Sequence, residues 1–284
     1  MSFLRVGYFR ITFLNINTTN MKSFLLSVGI LVLSTATYAQ ILKVNKGSID
    51  SDSSGYLMGS TSVDFNLNNK SATAEQSITY TGLEADADLA FIGKQHAYIL
   101  INQLNYFKST GGPLISTGYA HFRTNFLRKK QLSYELFTQI QYDGGRKMPL
   151  RYLLGGNTRL RLASSARSSL FVGIGVMYEK ENWKMLTDET QIIYKNLLKS
   201  TNYISYKQAF NEHVNINVMA YYQGGYDGEA DVFRSRISGE AVLNVKLTNL
   251  LAFNTSFSAQ YEDQPIIPIN KLVYSLTNGF KFSF

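Results

Sequence analysis

The chain has 284 residues, no cysteine, 45% hydrophobic and 13% aromatic residues, and a formal charge of +8. Without cysteine there can be no disulfide and no lipid-modified cysteine anchor, and after residue 39 no apolar run approaches the ~20 residues of a membrane-spanning helix. The basic excess has no clustered run and no nucleic-acid motif, so no nucleic-acid partner is expected.

Residues 1–20 carry no recognisable function, and translation is expected to begin at Met21. Met21-Lys22 opens a short basic region, Phe24 to Leu33 is apolar, and Thr37-Tyr38-Ala39 before Gln40 makes a small-residue cleavage site. This is the order of a secretory signal peptide, so 1–39 reads as N-terminal extension and signal. Losing Arg5, Arg10 and Lys22 with it takes the formal charge from +8 to +5. Residues 40–54 read as a periplasmic segment and 55–284 as one β domain, rich in glycine, tyrosine and phenylalanine as strands and turns require.

About twelve strands are expected, near 55–67, 78–91, 96–107, 114–126, 131–142, 148–162, 168–179, 201–210, 213–223, 231–247, 250–262 and 271–284. Connections after even-numbered strands are brief, as at Gly93-Lys94-Gln95, Asn211-Glu212 and Thr248-Asn249. Those after odd-numbered strands are longer, with 180–200 the longest and 143–147 a short exception. Short turns at one end and longer loops at the other suit an outer-membrane barrel with both termini in the periplasm.

The faces alternate. In 148–162, Leu150, Tyr152, Leu154, Leu160 and Leu162 oppose Arg151, Asn157, Arg159 and Arg161; in 168–179, Leu170, Val172, Ile174, Val176 and Tyr178 oppose Gly173, Gly175 and Glu179. In 231–247, Phe233, Ile237, Ala241, Leu243 and Val245 oppose Arg234, Arg236, Glu240 and Lys246. A soluble sandwich alternates too but turns its apolar face inward, and periodicity alone does not separate the two. The export signal and the C-terminus do. There Leu272, Tyr274, Leu276, Phe280, Phe282 and Phe284 share one face, which would be an aggregation hazard on a soluble edge strand. With Gly279, the ending resembles the C-terminal assembly signal of bacterial outer-membrane barrels. The expected fold is therefore an all-β, closed antiparallel transmembrane β-barrel of about twelve strands, the last strand pairing with the first because lipid leaves no edge satisfied. Its expected partners are outer-membrane lipids and the barrel-assembly machinery. Tyr98, Tyr106, Tyr134, Tyr142 and Tyr178, near strand ends, suit interfacial girdles.

The run Leu150-Arg151-Tyr152-Leu153-Leu154-Gly155-Gly156-Asn157, then Arg159-Leu160-Arg161, followed by Phe171-Val172-Gly173-Ile174-Gly175-Val176-Met177-Tyr178-Glu179, resembles the central hairpin of the domain-of-unknown-function 481 family. Members of that family are often labelled salt-induced outer-membrane proteins. The resemblance implies a barrel fold and an outer-membrane location over most of 55–284. It implies no catalytic residue and no ligand.

Outer-membrane phospholipases and lipid A deacylases use a His-x-Ser pair in which the imidazole activates the hydroxyl. Here the position two after His121 is Arg123, so no catalytic site is expected and His121 reads as structural. Three scattered histidines without cysteine offer no transition-metal site, and no cofactor is expected. Asp227, Glu229 and Asp231 around Gly228 fall short of a full calcium loop and read as solvated loop charges.

The inward positions hold the remaining chemistry. Asp64, Glu84, Asp86 and Asp88 form an acidic side; Arg123, Arg151, Arg159, Arg161, Lys207, Arg234 and Arg236 form a basic one, with Glu135, Glu179 and Glu240 among them. Glu84, Asp86 and Asp88 are expected to face Arg151, Arg159 and Arg161 across the interior. Paired, these charges would close a narrow barrel; hydrated, they would line a passage for small polar solutes. Three classes follow: a structural envelope barrel with a closed or narrow polar interior, a channel for small polar solutes, and, least supported, a lipid-modifying enzyme. If the ending is a recognition signal, Phe284→Ser should lower the outer-membrane level far more than Phe257→Ser in a fractionation assay. Equal losses would reduce it to ordinary apolar surface.

Overall fold

A computed structural model of the protein describes residues 54–69, 79–248 and 250–282. The expected export signal and Phe284 lie outside them, and Phe282 is described only through its backbone, opposite Leu251. The described chain folds as twelve strands: β1 (Tyr56–Asn69), β2 (Thr79–Ile92), β3 (Ala97–Ser109), β4 (Gly112–Phe126), β5 (Leu132–Asp143), β6 (Met148–Ser164), β7 (Ser168–Lys184), β8 (Ile192–Ala209), β9 (Val214–Asp227), β10 (Val232–Lys246), β11 (Leu251–Glu262) and β12 (Leu272–Phe282). Each pairs antiparallel with its neighbours in sequence, in one continuous sheet of order β1 to β12.

The faces divide by chemistry because strand side chains alternate. On β7, Ile174 and Val176 are 64% and 61% exposed, while Glu179, on the opposite face, is 1% exposed. The same phase holds on β6, where Leu154 and Leu162 are exposed and Arg151, Asn157 and Arg159 are buried. Tyr98, Tyr134 and Tyr178 lie on the apolar outer face.

The polar face is concave. Adjacent strands lie ~4.8 Å apart, so strands five places apart would be about 24 Å from each other in a flat sheet. Arg123 on β4 nevertheless brings its Nη2 to 3.4 Å from the Tyr221 hydroxyl on β9. Tyr203 on β8 reaches Glu135 on β5, and Arg236 on β10 reaches Glu179 on β7. The sheet therefore curls strongly round its charged side. Close approach needs absent side chains at some points: a Cβ at Gly173 would sit 2.1 Å from the Tyr203 ring.

Apolar clusters stop both ends of the concave side. Where β2 turns into β3, Ile92, Ala97, Ile99 and Ile101 pack with Ala90 and Tyr119. At the opposite end, Ile267 of the β11–β12 loop packs against Met148 and Trp183, with Ile266, Ile269, Met185 and Ile193 around them.

One expectation is met in part and two change. Among the described residues the sheet order runs from β1 to β12, with no pairing recorded between these two strands. The segment 180–200 is not mainly loop: β7 continues to Lys184 and β8 starts at Ile192. Two charges within that segment, Glu181 and Lys199, are buried, because the interior supplies partners for them. The contrast in connection length is also weaker than expected. The β3–β4 hairpin turns through Thr110 and Gly111 alone, aided by a φ of +121° at Gly112, and 263–271 is longer than 185–191.

Candidate functional site: the charged interior

The interior is built round Glu179. Strand alternation puts it on the concave face of β7 together with Glu181 and Trp183, and the curl brings three cations to it. Arg151 Nε and Arg236 Nη1 each donate to Glu179 Oε1 at 2.8 Å, and Lys199 Nζ lies on Glu179 Oε2. Glu181 Oε1 takes Arg236 Nη2 at 2.8 Å and Arg151 Nε at 3.1 Å, while its Oε2 accepts from Trp183 Nε1 at 3.1 Å. Glu262 on β11 completes the group, its Oε1 2.9 Å from both Arg236 Nε and Arg146 Nη1. Seven charged side chains from β6, β7, β8, β10, β11 and the β5–β6 turn thus form one buried network.

A second group lies nearer the β4–β5 turn. Arg123 Nη1 is 3.6 Å from Glu135 Oε1, and Arg159 Nε is 3.9 Å from the same oxygen. Tyr203 donates its hydroxyl to Glu135 Oε2 at 2.9 Å. Arg159 also lies over the Phe171 ring, 3.6 Å from its centroid, which adds a cation–π attraction to a weakly hydrated guanidinium. His121 accompanies this group: its Nδ1 is 3.0 Å from Gln139 Oε1, and its ring stacks on Phe137.

The other charges named from sequence are dispersed. Arg161 donates to the Arg128 carbonyl at 3.1 Å and so braces the β4–β5 turn, where Arg128 itself is buried with its Nε on the Gly93 carbonyl. Arg234 pairs with Asp227 at 2.8 Å near the loop end, beside Lys195, which bridges Asp227 and Glu229. Asp64 lies opposite Glu84 in the β1–β2 register, and Asp86 accepts from Ser62 across the same pair. Asp88 is half-buried on that wall, and Glu240 accepts from Ser256 on β11. Lys207 lines a separate polar cavity of about 800 Å³ at the short-turn end.

Arg151 meets Glu179 and Glu181, Arg159 lies 3.9 Å from Glu135, and Arg161 donates to the turn carbonyls of Arg128 and Lys129. One expectation fails here. Asp227 is not a solvated loop charge: β9 runs on to include it, and at 1% exposure it is held by Lys195 and Arg234. Those cations engage Asp227 and Glu229, while Asp231 accepts from the Tyr226 hydroxyl. Among the loops, Lys147 hydrogen-bonds Glu189 and holds its carboxyl below the usual range.

Glu181, Lys199, Glu262 and Arg146 were missed from sequence. A signal existed for Glu181, two residues beyond Glu179 and therefore on the same face, but the strand was ended too soon. Arg146 sits in a turn, and nothing local says that it bends inward.

A cavity of about 390 Å³ opens beside the network, lined by residues of β4, β5, β6, β8, β9, β10, β11 and β12. No protein-family model matches the chain, and no curated protein matches it. Among solved structures it is similar to one described as "NanC porin structure in rhombohedral crystal form", at 11% identity and a TM-score of 0.43, over 73% of this chain and 94% of that one.

Removing one partner from a buried ionic group costs about 3–5 kcal/mol because the others are left uncompensated. Glu179→Leu should therefore lower the unfolding free energy by about that much. Glu229→Leu, on the exposed side of its pair, should change it by less than about 1 kcal/mol. Urea unfolding of refolded protein measures both, and similar effects would refute the central place of Glu179.

Proposed function

We propose that this protein is an outer-membrane β-barrel of structural, envelope-maintaining role, its interior closed to bulk solute flow by paired charges. One observation carries the reading: the sheet buries carboxylates and guanidiniums while exposing large apolar side chains on strand after strand. In water such an outer face would be a contiguous apolar patch far beyond that of a monomeric soluble protein. In lipid it is the expected surface, and the polar alternate face must then turn inward.

Closure of β1 against β12 belongs to the same proposal. The two strands stand at the ends of the sheet order, and backbone groups on a lipid-exposed edge would stay unsatisfied at several kcal/mol each. The salt links through Glu179 join β6, β7, β8 and β10 across the interior, and Ile267 fills the loop end, which together favour a closed barrel over an open pore. The residues required for an outer-membrane hydrolase of the His-x-Ser kind are not part of this reading, since Arg123 is engaged with Glu135.

Val176 lies at the middle of β7 on the apolar face, a stricter probe than Leu160, which sits opposite Leu132 near the short-turn end. Val176→Arg should impair membrane insertion, at a cost of about 2–4 kcal/mol for a cation at mid-depth, whereas Arg159→Leu should still insert. Heat-modifiable migration of membrane fractions reads both, and the reverse pattern would turn the sheet inside out. In planar bilayers the inserted wild type should show no large, stable conductance steps. Large sustained openings would replace the closed reading with the channel.

A further inference from the structure

The 390 Å³ cavity has an unusual balance of charge. Four guanidinium side chains line it (Arg123, Arg146, Arg151 and Arg236) against a single carboxylate, Asp143. The carboxylates that fix those arginines, Glu135, Glu179, Glu181 and Glu262, are not part of the lining. The anions therefore stand behind and the cations in front.

A guanidinium has five N–H donors, and the ion pairs leave some of them unused. The Nε atoms of Arg123 and Arg146 are buried without an acceptor in the protein. Guanidiniums held in place by a supporting layer of carboxylates lose little freedom on meeting an anion, which favours binding, and a small turn of the Arg123 or Arg146 side chain would bring its spare Nε donor to the ligand. The planar fork of arginine matches a carboxylate bidentately. The cavity also falls within the size range of small-molecule sites, and Phe137 and Leu153 give it an apolar wall that an inorganic ion would not use.

We propose that this cavity is a binding site for a small organic carboxylate. The site stands on the fold and its charges and does not require the membrane reading above, so it is tested in detergent micelles, apart from insertion and conductance. Citrate is the probe, with sulfate and glycerol compared at matched ionic strength. Citrate should bind the refolded full chain saturably by calorimetry and raise its thermal midpoint, sulfate should bind at least tenfold more weakly, and glycerol should do nothing. Gln223, whose Oε1 accepts from Arg151 Nη2 at 3.4 Å, lines the same cavity. Gln223→Glu places a carboxylate where the ligand's would lie and should weaken citrate at least tenfold. Ser238→Asp on the same wall should act alike, and decides the matter if the first variant does not refold. Absence of saturable citrate binding, binding that both variants leave unchanged, or sulfate binding as tightly as citrate would each overturn the proposal.

Discussion

Charges gathered inside a curled sheet must satisfy one another, and the whole interior depends on how Glu179 does this. A carboxylate at 1% exposure is tolerable only with close cationic partners. Glu179 has three, from β6, β8 and β10. Each of those strands is thereby fixed in height relative to β7, because a shift of two residues would carry the cation about 7 Å along the strand and break the contact. The Arg236 links to Glu181 and Glu262 extend the same constraint to β11.

The remaining interior adapts to that network. Phe171 supports Arg159, and Tyr203 fills the space left by Gly173 while its hydroxyl reaches Glu135. The larger apolar clusters occupy the two ends, where β2 meets β3 and where the β11–β12 loop returns over Trp183, and two small ones, Phe137 with Leu153 and Met177 and Tyr203 with Met219, stand among the charges. A buried charged network in the middle departs from the usual layering of a water-soluble domain, in which apolar residues fill the centre and charges remain at the rim.

That departure links the interior to the proposed envelope role. If lipid covers the outer face, the membrane supplies the apolar contact that a soluble protein obtains from its core, and the interior is free to be polar. The polar groups then close the barrel or recognise a solute according to how completely they satisfy one another. The carboxylates of the Glu179 network each meet more than one cation, whereas two of the arginines lining the cavity, Arg123 and Arg146, keep an unused Nε donor. A closed wall and a small binding site are therefore compatible in one interior.

The sequence by itself determined the positions of the strands and the face on which each side chain lies. Both follow from a period of two that is local, legible in runs such as Leu150 to Leu162 opposed by Arg151, Arg159 and Arg161. It also placed Arg151, Glu179 and Arg236 on one face of the sheet. Tertiary structure decided which of them meet. The curl brings β10 to β7 and β9 to β4, and no spacing along the chain encodes those distances. It also decided where β7 ends and β8 begins: Glu181 and Lys199 read locally as loop charges, and only the presence of Arg151, Arg236 and Glu179 opposite them makes burial favourable. Charge pairing is a property of separation in space, which alternation along a strand constrains to one face but cannot carry across the interior.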